Sequence, residues 1–192
     1  RGYVVAEATR LQGAEVFLGG PCGSTVTGTC NVMTAATLAK GSTVIEAAAC
    51  EPEVVDLGEC LVKMGAHIQG LGTPRIEILG VDRLQGAEHR VIPDRIEAAT
   101  LMIAAAMTGG EIEIDLVRPD HLVAVCEVLQ QSGVRITHSA TEGPLASLVA
   151  TAPDVLVPTS ITALPYPGVP TDVQAQLMAM LCQADGISVI TD

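Results

Sequence analysis

The chain has 192 residues, 48% hydrophobic and 17% charged, with a net charge of −12; this balance excludes a disordered chain and calls for a buried core. Ten Lys and Arg stand against 22 Asp and Glu, too few cations to displace counterions from a phosphate backbone, so nucleic acid is not an expected partner. No apolar run reaches the roughly 18 residues of a membrane span, the longest being LMIAAAM at 101–107, so a membrane is not one either.

Aromatic residues are only Tyr3, Phe17 and Tyr166, which makes the expected core aliphatic. The six cysteines, Cys22, Cys30, Cys50, Cys60, Cys126 and Cys182, form no C-x-x-C pair. They read as buried free thiols in a reducing cytoplasm. The chain opens without Met, on what reads as the inside of a strand, and is expected to be part of something longer.

In chain order, the hexapeptide RLQGAE at 10–15 leads into an extended run, AEVFLGG, and a turn. STVTGTCNVMTAATLAKG then reads as an apolar helix that stops at Lys40-Gly41, a cation followed by glycine. STVIEAA alternates as a strand. EPEVVDLGECLVKMG follows as an amphipathic helix, with Pro52 and Glu53 suited to its first turn. Its apolar side carries Val54, Val55, Leu61, Val62 and Met64, and its wet side Asp56, Glu59 and Lys63. AHIQGL and RIEILGV read as two further strands.

RLQGAE then recurs at 83–88, and the order of elements recurs with it. PDRIEAATLMIAAAMTGG is an apolar helix, EIEIDLV a strand, RPDHLVAVCEVLQQSG an amphipathic helix, and VRITHSA and PLASLVAT strands. Arg118-Pro119-Asp120 takes the place of Glu51-Pro52-Glu53, and Gly133 that of Gly65. A third copy begins near VPTDVQAQLMAMLCQADGISVITD. The hexapeptide is therefore expected to mark the opening strand of successive β-α-β-α-β-β units of roughly 70 residues. The first helix of each unit is apolar nearly all round, with Ile96, Ala99, Met102, Ile103 and Ala106 in the second copy, and is expected to be buried on every side.

GSTVTGTCNVMTAATLAKGSTVIEAAACEPEVVDL, RVIPDRIEAATLMIAAA and YPGVPTDVQAQ resemble the UDP-N-acetylglucosamine enolpyruvyl transferase family over essentially the whole chain. The resemblance implies an inside-out α/β barrel of the enolpyruvyl transferase type, built from β-α-β-α-β-β units around buried helices and incomplete here. Residues 1–93 would be the end of the catalytic-loop globule and 94–192 part of the second globule. The implied reaction moves the enolpyruvyl group of phosphoenolpyruvate to the 3-hydroxyl of the sugar nucleotide and releases phosphate, in the cytoplasm, with no metal and no organic cofactor. The remainder of the same fold would be this segment's partner, and the segment alone is expected to be inactive.

The resemblance also implies site residues. Asp172 matches the aspartate that contacts the sugar hydroxyl and takes its proton; it stands at a helix start, where negative charge is favoured, and an ordinary N-cap role can coexist with that one. Gly20, Pro21, Cys22 and Gly23 match a loop that contacts the nucleotide, although Gly19 stands where the pattern has Lys and Pro21 where it has Ser. Glu51, Asp94 and Arg95 match polar positions facing the substrate cleft. Arg118 offers a donor with no matched motif. The family's acid, a Cys on a mobile loop, its Lys-Asn pair and the Arg residues that hold phosphoenolpyruvate have no counterpart here. His67, His89, His121 and His138 are scattered and read as surface residues. The alternatives are a degenerate repeat protein that only binds or scaffolds, another enolpyruvyl transferase such as 5-enolpyruvylshikimate-3-phosphate synthase, and an RNA-terminal phosphate cyclase, which the acidic charge disfavours.

Overall fold

The computed structural model describes all residues except Arg1, Val4, Cys22, Ala140, Thr141 and Glu142. The chain divides into two units, Arg1–Ile92 and Pro93–Asp192, each with its own aliphatic cluster.

In the first unit the elements run β1 (Glu15–Phe17), a small hairpin of β2 (Gly19–Gly20) and β3 (Gly23–Ser24), α1 (Val26–Ala36), β4 (Ser42–Glu46), α2 (Pro52–Lys63), β5 (His67–Gln69) and β6 (Arg75–Leu79). The sheet order is β1-β4-β6-β5. β1 is parallel to β4, and β6 is antiparallel to both β4 and β5. Alternation explains the buried face: Ile45 on β4 and Ile76 and Ile78 on β6 are fully buried, as a two-residue side-chain period requires. Met33 and Ala36 of α1, and Val54 and Leu61 of α2, complete the cluster. Thr25 caps α1 by accepting from Gly28 N at 3.2 Å. Pro52 opens α2, Glu53 lies in its first turn and Lys63 in its last, each placed to suit the helix dipole.

Gly80 shows how closely this sheet meets its helix. A Cβ there would lie 1.7 Å from the Ala39 carbonyl oxygen, because Gly80 N donates to Gly41 O and Val81 N to Thr37 O. Only a residue without a side chain allows that approach.

The segment after β6 departs from expectation. The second RLQGAE forms no strand. In the first copy Gln12 bridges Lys40 and Glu15 enters β1 beside β4. The second copy instead runs back over α2, where Gln85 N donates to Met64 O. Four residues on, the His89 ring lies between Asp56 (2.9 Å) and Lys63 (3.0 Å). The His89 side chain is only 8% exposed, so it is not a surface histidine. The polar face of α2 is its binding surface.

In the second unit the order is α3 (Arg95–Met107), β7 (Glu111–Val117), a 3-10 turn at Pro119–His121, α4 (Val123–Gln131), β8 (Arg135–His138), β9 (Ala146–Thr151), β10 (Ile161–Thr162), a 3-10 turn at Thr171–Val173, α5 (Gln174–Leu181) and β11 (Ile190–Thr191). β7, β9 and β8 form an antiparallel sheet in that order, and β10 pairs in parallel with β11. α3 packs against α5, β7 and β9. Its Met102 and Ile103 are buried with Leu177 and Met180 of α5 and Leu148 of β9. The helix is not buried on every side: Glu97, Leu101 and Ala104 are exposed, since none of the described elements of this unit covers that face. His121, read as a surface residue, has a side chain only 10% exposed. The expected single helix over 118–133 is split at Leu122, whose φ of −113° and ψ of 2° lie between the 3-10 turn and α4. Among the described residues, no helix is long and apolar enough to cross a membrane.

Three substitutions test this packing by chemical denaturation. Gly80→Ala should destabilise the first unit by about 2–4 kcal/mol, because backbone must move to admit the methyl. Leu177→Ala should cost the second unit about 2–5 kcal/mol, whereas Met178→Ala, at an exposed neighbour on the same helix, should cost less than about 0.5 kcal/mol. Equal costs at 177 and 178 would contradict the assignment of the buried face.

Candidate functional site

The expected site residues fall in both units, four of the described ones in the first and three in the second; each group is built by its own unit.

In the first unit, β1 and β4 run side by side in the same direction, with Phe17 opposite Glu46. Their carboxyl ends therefore lead out together, a place where parallel strands commonly present ligand-binding loops. Beyond β1 the chain forms the hairpin, Gly19 opposite Ser24 and Gly20 opposite Gly23. Gly20, Pro21 and Gly23 are all exposed at its tip, and Gly23 has φ +101°. Cys22 lies outside the described residues. The hairpin corrects the simple picture of a bare glycine turn, because part of its backbone hydrogen bonding goes to its own ladder. At Gly19 a Cβ would lie 2.5 Å from the tip of the Phe17 ring, but that side chain is largely exposed, so a residue larger than glycine needs only the ring to turn away.

Beyond β4, Ala47 takes φ +54° and the chain turns toward α1, where Ala49 N donates to the Thr29 hydroxyl at 3.0 Å. That bond anchors the approach to Glu51. Glu51 is the N-cap residue of α2 and its carbonyl accepts from Val54 N and Val55 N. Its side chain is buried and does not cap the helix. Its charge bears on the thiols of Cys30 and Cys50, which are half-buried like Cys60 and Cys126 rather than buried as expected, while Cys182 is exposed. Burial pushes the Cys30 thiol up, and the charges of Glu51 and Glu53 add to that. Burial and then Glu51 do the same for Cys50. Both thiols stay protonated at neutral pH, and neither is set up as a thiolate nucleophile.

In the second unit, Asp94 caps α3: its Oδ1 accepts from Ile96 N at 2.8 Å and from Glu97 N at 3.1 Å. Arg95 is buried, its guanidinium carbon 5.6 Å from the centre of the Tyr166 ring, within range of a cation–π attraction. Tyr166 O–H donates to Asp120 O at 3.4 Å. The first turn of α3 is thereby tied to the proline-rich segment that leads to Asp172. Asp172 is exposed and sits in the 3-10 turn between Pro170 and α5. The buried Val173 beside it pins that turn, its N–H donating to Pro170 O at 3.1 Å. The Thr171 hydroxyl lies 2.8–2.9 Å from the Asp192 carboxylate. Asp172 is not itself the cap of α5, whose N-cap position is Val173.

Arg118 is not an open phosphate donor in this arrangement. Its guanidinium holds Asp120 through two bonds, at 2.8 and 2.6 Å, and this pushes the Asp120 carboxyl below its usual range against the opposing effect of burial. The structure thus brings Asp94, Arg95 and Asp172 onto connected elements of the second unit, and Glu51 beside the thiols of Cys30 and Cys50 in the first. Tyr166 and Thr29 lie within the strings YPGVPTDVQAQ and GSTVTGTCNVMTAATLAKG that carry the resemblance, but the ties they make join residues far apart in sequence and have no local signal.

The sequence pattern of EPSP synthase (3-phosphoshikimate 1-carboxyvinyltransferase) matches residues 2–192. Among curated relatives, the UDP-N-acetylglucosamine 1-carboxyvinyltransferase of Rhodopseudomonas palustris is 50% identical over the whole chain, which covers 43% of that protein. Those of Akkermansia muciniphila and Halothermothrix orenii are 48% and 46% identical over the whole chain, covering 45% and 44% of theirs. The chain thus spans less than half the length of these relatives. Among solved structures, the enolpyruvyl transferase NikO from Streptomyces tendae superposes with a TM-score of 0.74 at 23% identity, over 95% of this chain and 46% of its own. EPSP synthase from Acinetobacter baumannii gives 0.66 at 21% identity, over 94% of this chain and 40% of its own. At those identities the likeness is one of fold, the mixed helix-and-sheet fold of enolpyruvyl transferases. With the pattern matched over residues 2–192, the chain belongs to the EPSP synthase family.

Proposed function

We propose that this chain is a segment of a cytoplasmic enzyme that transfers the enolpyruvyl group of phosphoenolpyruvate to the 3-hydroxyl of UDP-N-acetylglucosamine, a step toward peptidoglycan. The observation that carries the reading is the 46–50% identity over the whole chain to proteins named for that reaction. Identity to the solved EPSP synthase is 21%, which favours a sugar nucleotide over shikimate phosphate as acceptor. The degenerate-repeat alternative is disfavoured by the retained Asp172, Asp94-Arg95 and Glu51, which the fold places at element ends.

In this reading Asp172 takes the proton of the sugar 3-hydroxyl as its oxygen attacks C2 of phosphoenolpyruvate. C3 gains a proton from an acid, giving a tetrahedral adduct. Loss of phosphate from C2 and of a proton from C3 then restores the carbon–carbon double bond. An exposed carboxylate on a pinned turn suits the first transfer, because a base acts only within hydrogen-bond reach of its proton. The buried Glu51 and the capping Asp94 have places fixed by their helices, and we assign them, with Arg95, to binding substrate. The hairpin tip, Gly20 to Gly23 with Pro21 and Cys22, is assigned to the nucleotide. Its open side suits backbone contacts to a diphosphate.

Phosphate release in the presence of both substrates tests the proposal. The full-length protein should turn over, and the 192-residue segment alone should not. Asp172→Asn in the full-length protein should lower kcat by about 10²–10⁴, the range for losing a general base. Turnover with shikimate 3-phosphate but not with UDP-N-acetylglucosamine would replace this acceptor with the other.

A further inference from the structure

Asp172 is held by a hydrogen-bond chain that begins at the opposite site residue of the same unit. Asp94 Oδ1 accepts from Ile96 N at 2.8 Å. One turn along α3, Ile96 O accepts from the Thr100 hydroxyl at 2.8 Å. The Thr100 oxygen accepts from Gln176 Nε2 at 3.1 Å, and the same Nε2 donates to Asp172 O at 2.9 Å. Thr100 and Gln176 are both partly buried, and 76 residues separate them in sequence.

The donor inventory fixes the direction of this chain. The single Thr100 proton is spent on Ile96 O, so toward Gln176 the hydroxyl can only accept. Asp172 O is a carbonyl and can only accept. Both partners of the Gln176 amide therefore need its nitrogen, and both N–H groups are used. Rotating the amide by 180° would set its oxygen against two acceptors, so a single orientation satisfies the site. The result is a two-pronged clamp, one prong on α3 and the other on the carbonyl of the residue assigned as base.

We propose that Gln176 is a positioning residue for the enolpyruvyl transfer, and that Thr100 is its anchor: together they set the Asp172 turn in register with the Asp94-capped first turn of α3. This rests on the assignment of Asp172 as proton acceptor. The clamp acts on the backbone of Asp172 and not on its carboxylate, so its loss should spoil the aim of the base while leaving its chemistry intact. Small misplacements of a reacting group are costly to rate.

The test uses the full-length protein with Gln176→Leu, Thr100→Val and Thr100→Ser. Gln176→Leu should lower kcat by about tenfold or more while KM for phosphoenolpyruvate stays within about twofold. Thr100→Val should reproduce most of that loss, since it keeps the shape of the side chain and removes the acceptor. Thr100→Ser, which keeps the hydroxyl, should stay within about twofold of the parent. The Gln176→Leu/Thr100→Val double variant should be little worse than Gln176→Leu alone, because both changes break one clamp. If Gln176→Leu does not fold, the Val and Ser variants at 100 carry the test. Unchanged kcat in Gln176→Leu, or equal losses in Thr100→Val and Thr100→Ser, would overturn the inference. An inactive Asp172→Asn beside a fully active Gln176→Leu would overturn this inference alone; a fully active Asp172→Asn would overturn the base assignment and the clamp's role with it.

Discussion

The second unit depends on the close packing of α3 against α5 and the β7–β9 ladder. The faces that meet are aliphatic and rich in alanine and methionine: Ala98, Ala99, Met102, Ile103, Ala105 and Ala106 on α3, and Leu177 and Met180 on α5. Alanines let the backbones approach, and methionine fills the irregular space that remains. A chain with one Phe and no Trp has few other ways to make a dense core. This packing also sets the spacing between the first turn of α3, with Asp94 and Arg95, and the turn holding Asp172. Polar bonds such as Thr100 to Gln176 can form only because the apolar residues beside them already fix the helix separation. Those bonds in turn select one register, which interchangeable aliphatic contacts specify poorly.

The order of elements was legible because periodicity and punctuation agreed. Pro52 and Pro119 begin their turns, Gly41 and Gly65 end helical stretches with φ of +89° and +103°, and β4, β6 and β9 alternate as their residues predict. Less legible was anything decided by a partner distant in sequence. The second RLQGAE has the same local preferences as the first, yet Gln85 is taken up by Met64 and His89 by Asp56 and Lys63. Identical hexapeptides thus take different conformations, since a strand requires a neighbouring strand and not only a suitable sequence. The burial of His89 has the same cause. The polar face of α2 looks like a solvated surface until the returning segment is laid on it.

The candidate site was legible in part, and along the same line. Asp94 and Glu51 precede helices and could be placed from local signals. Asp172 was placed at a helix start, but the structure inserts a 3-10 turn before α5 and gives the N-cap position to Val173, which leaves the Asp172 side chain at the surface. The anchoring role of Thr100 had no signal, because a threonine inside an apolar helix reads only as a residue whose hydroxyl bonds back to the preceding turn. The departure at Gly19 was visible as a missing cation. That the exposed Phe17 ring lies over this glycine has no local sequence signal.

One repeated feature of the two units was hidden from sequence altogether. Counting from the glycine that precedes each strand, Gly41 or Gly110, the sixth residue in each case is left-handed without being glycine: Ala47 with φ +54° and Leu116 with φ +59°. Each costs roughly 1–2 kcal/mol relative to ordinary backbone. Neither alanine nor leucine is a residue that favours this conformation, so no local preference produces it. In the second unit the register of β7 against β9 shifts at this point, and Val117 returns to the core while Leu116 is turned out. In the first unit Ala47 ends β4, and the next residues are caught by Thr29. The kink lies just ahead of Glu51 in one unit and of Arg118 in the other: in the first it follows the last residue of β4, and in the second it is a bulge that β7 passes through before Val117 pairs again with Ala146. Strained backbone at matching positions, upstream of a buried charge in one unit and a carboxylate-bound arginine in the other, is a device of the repeat itself: the chain bends in the same place, and the residue it delivers is what differs.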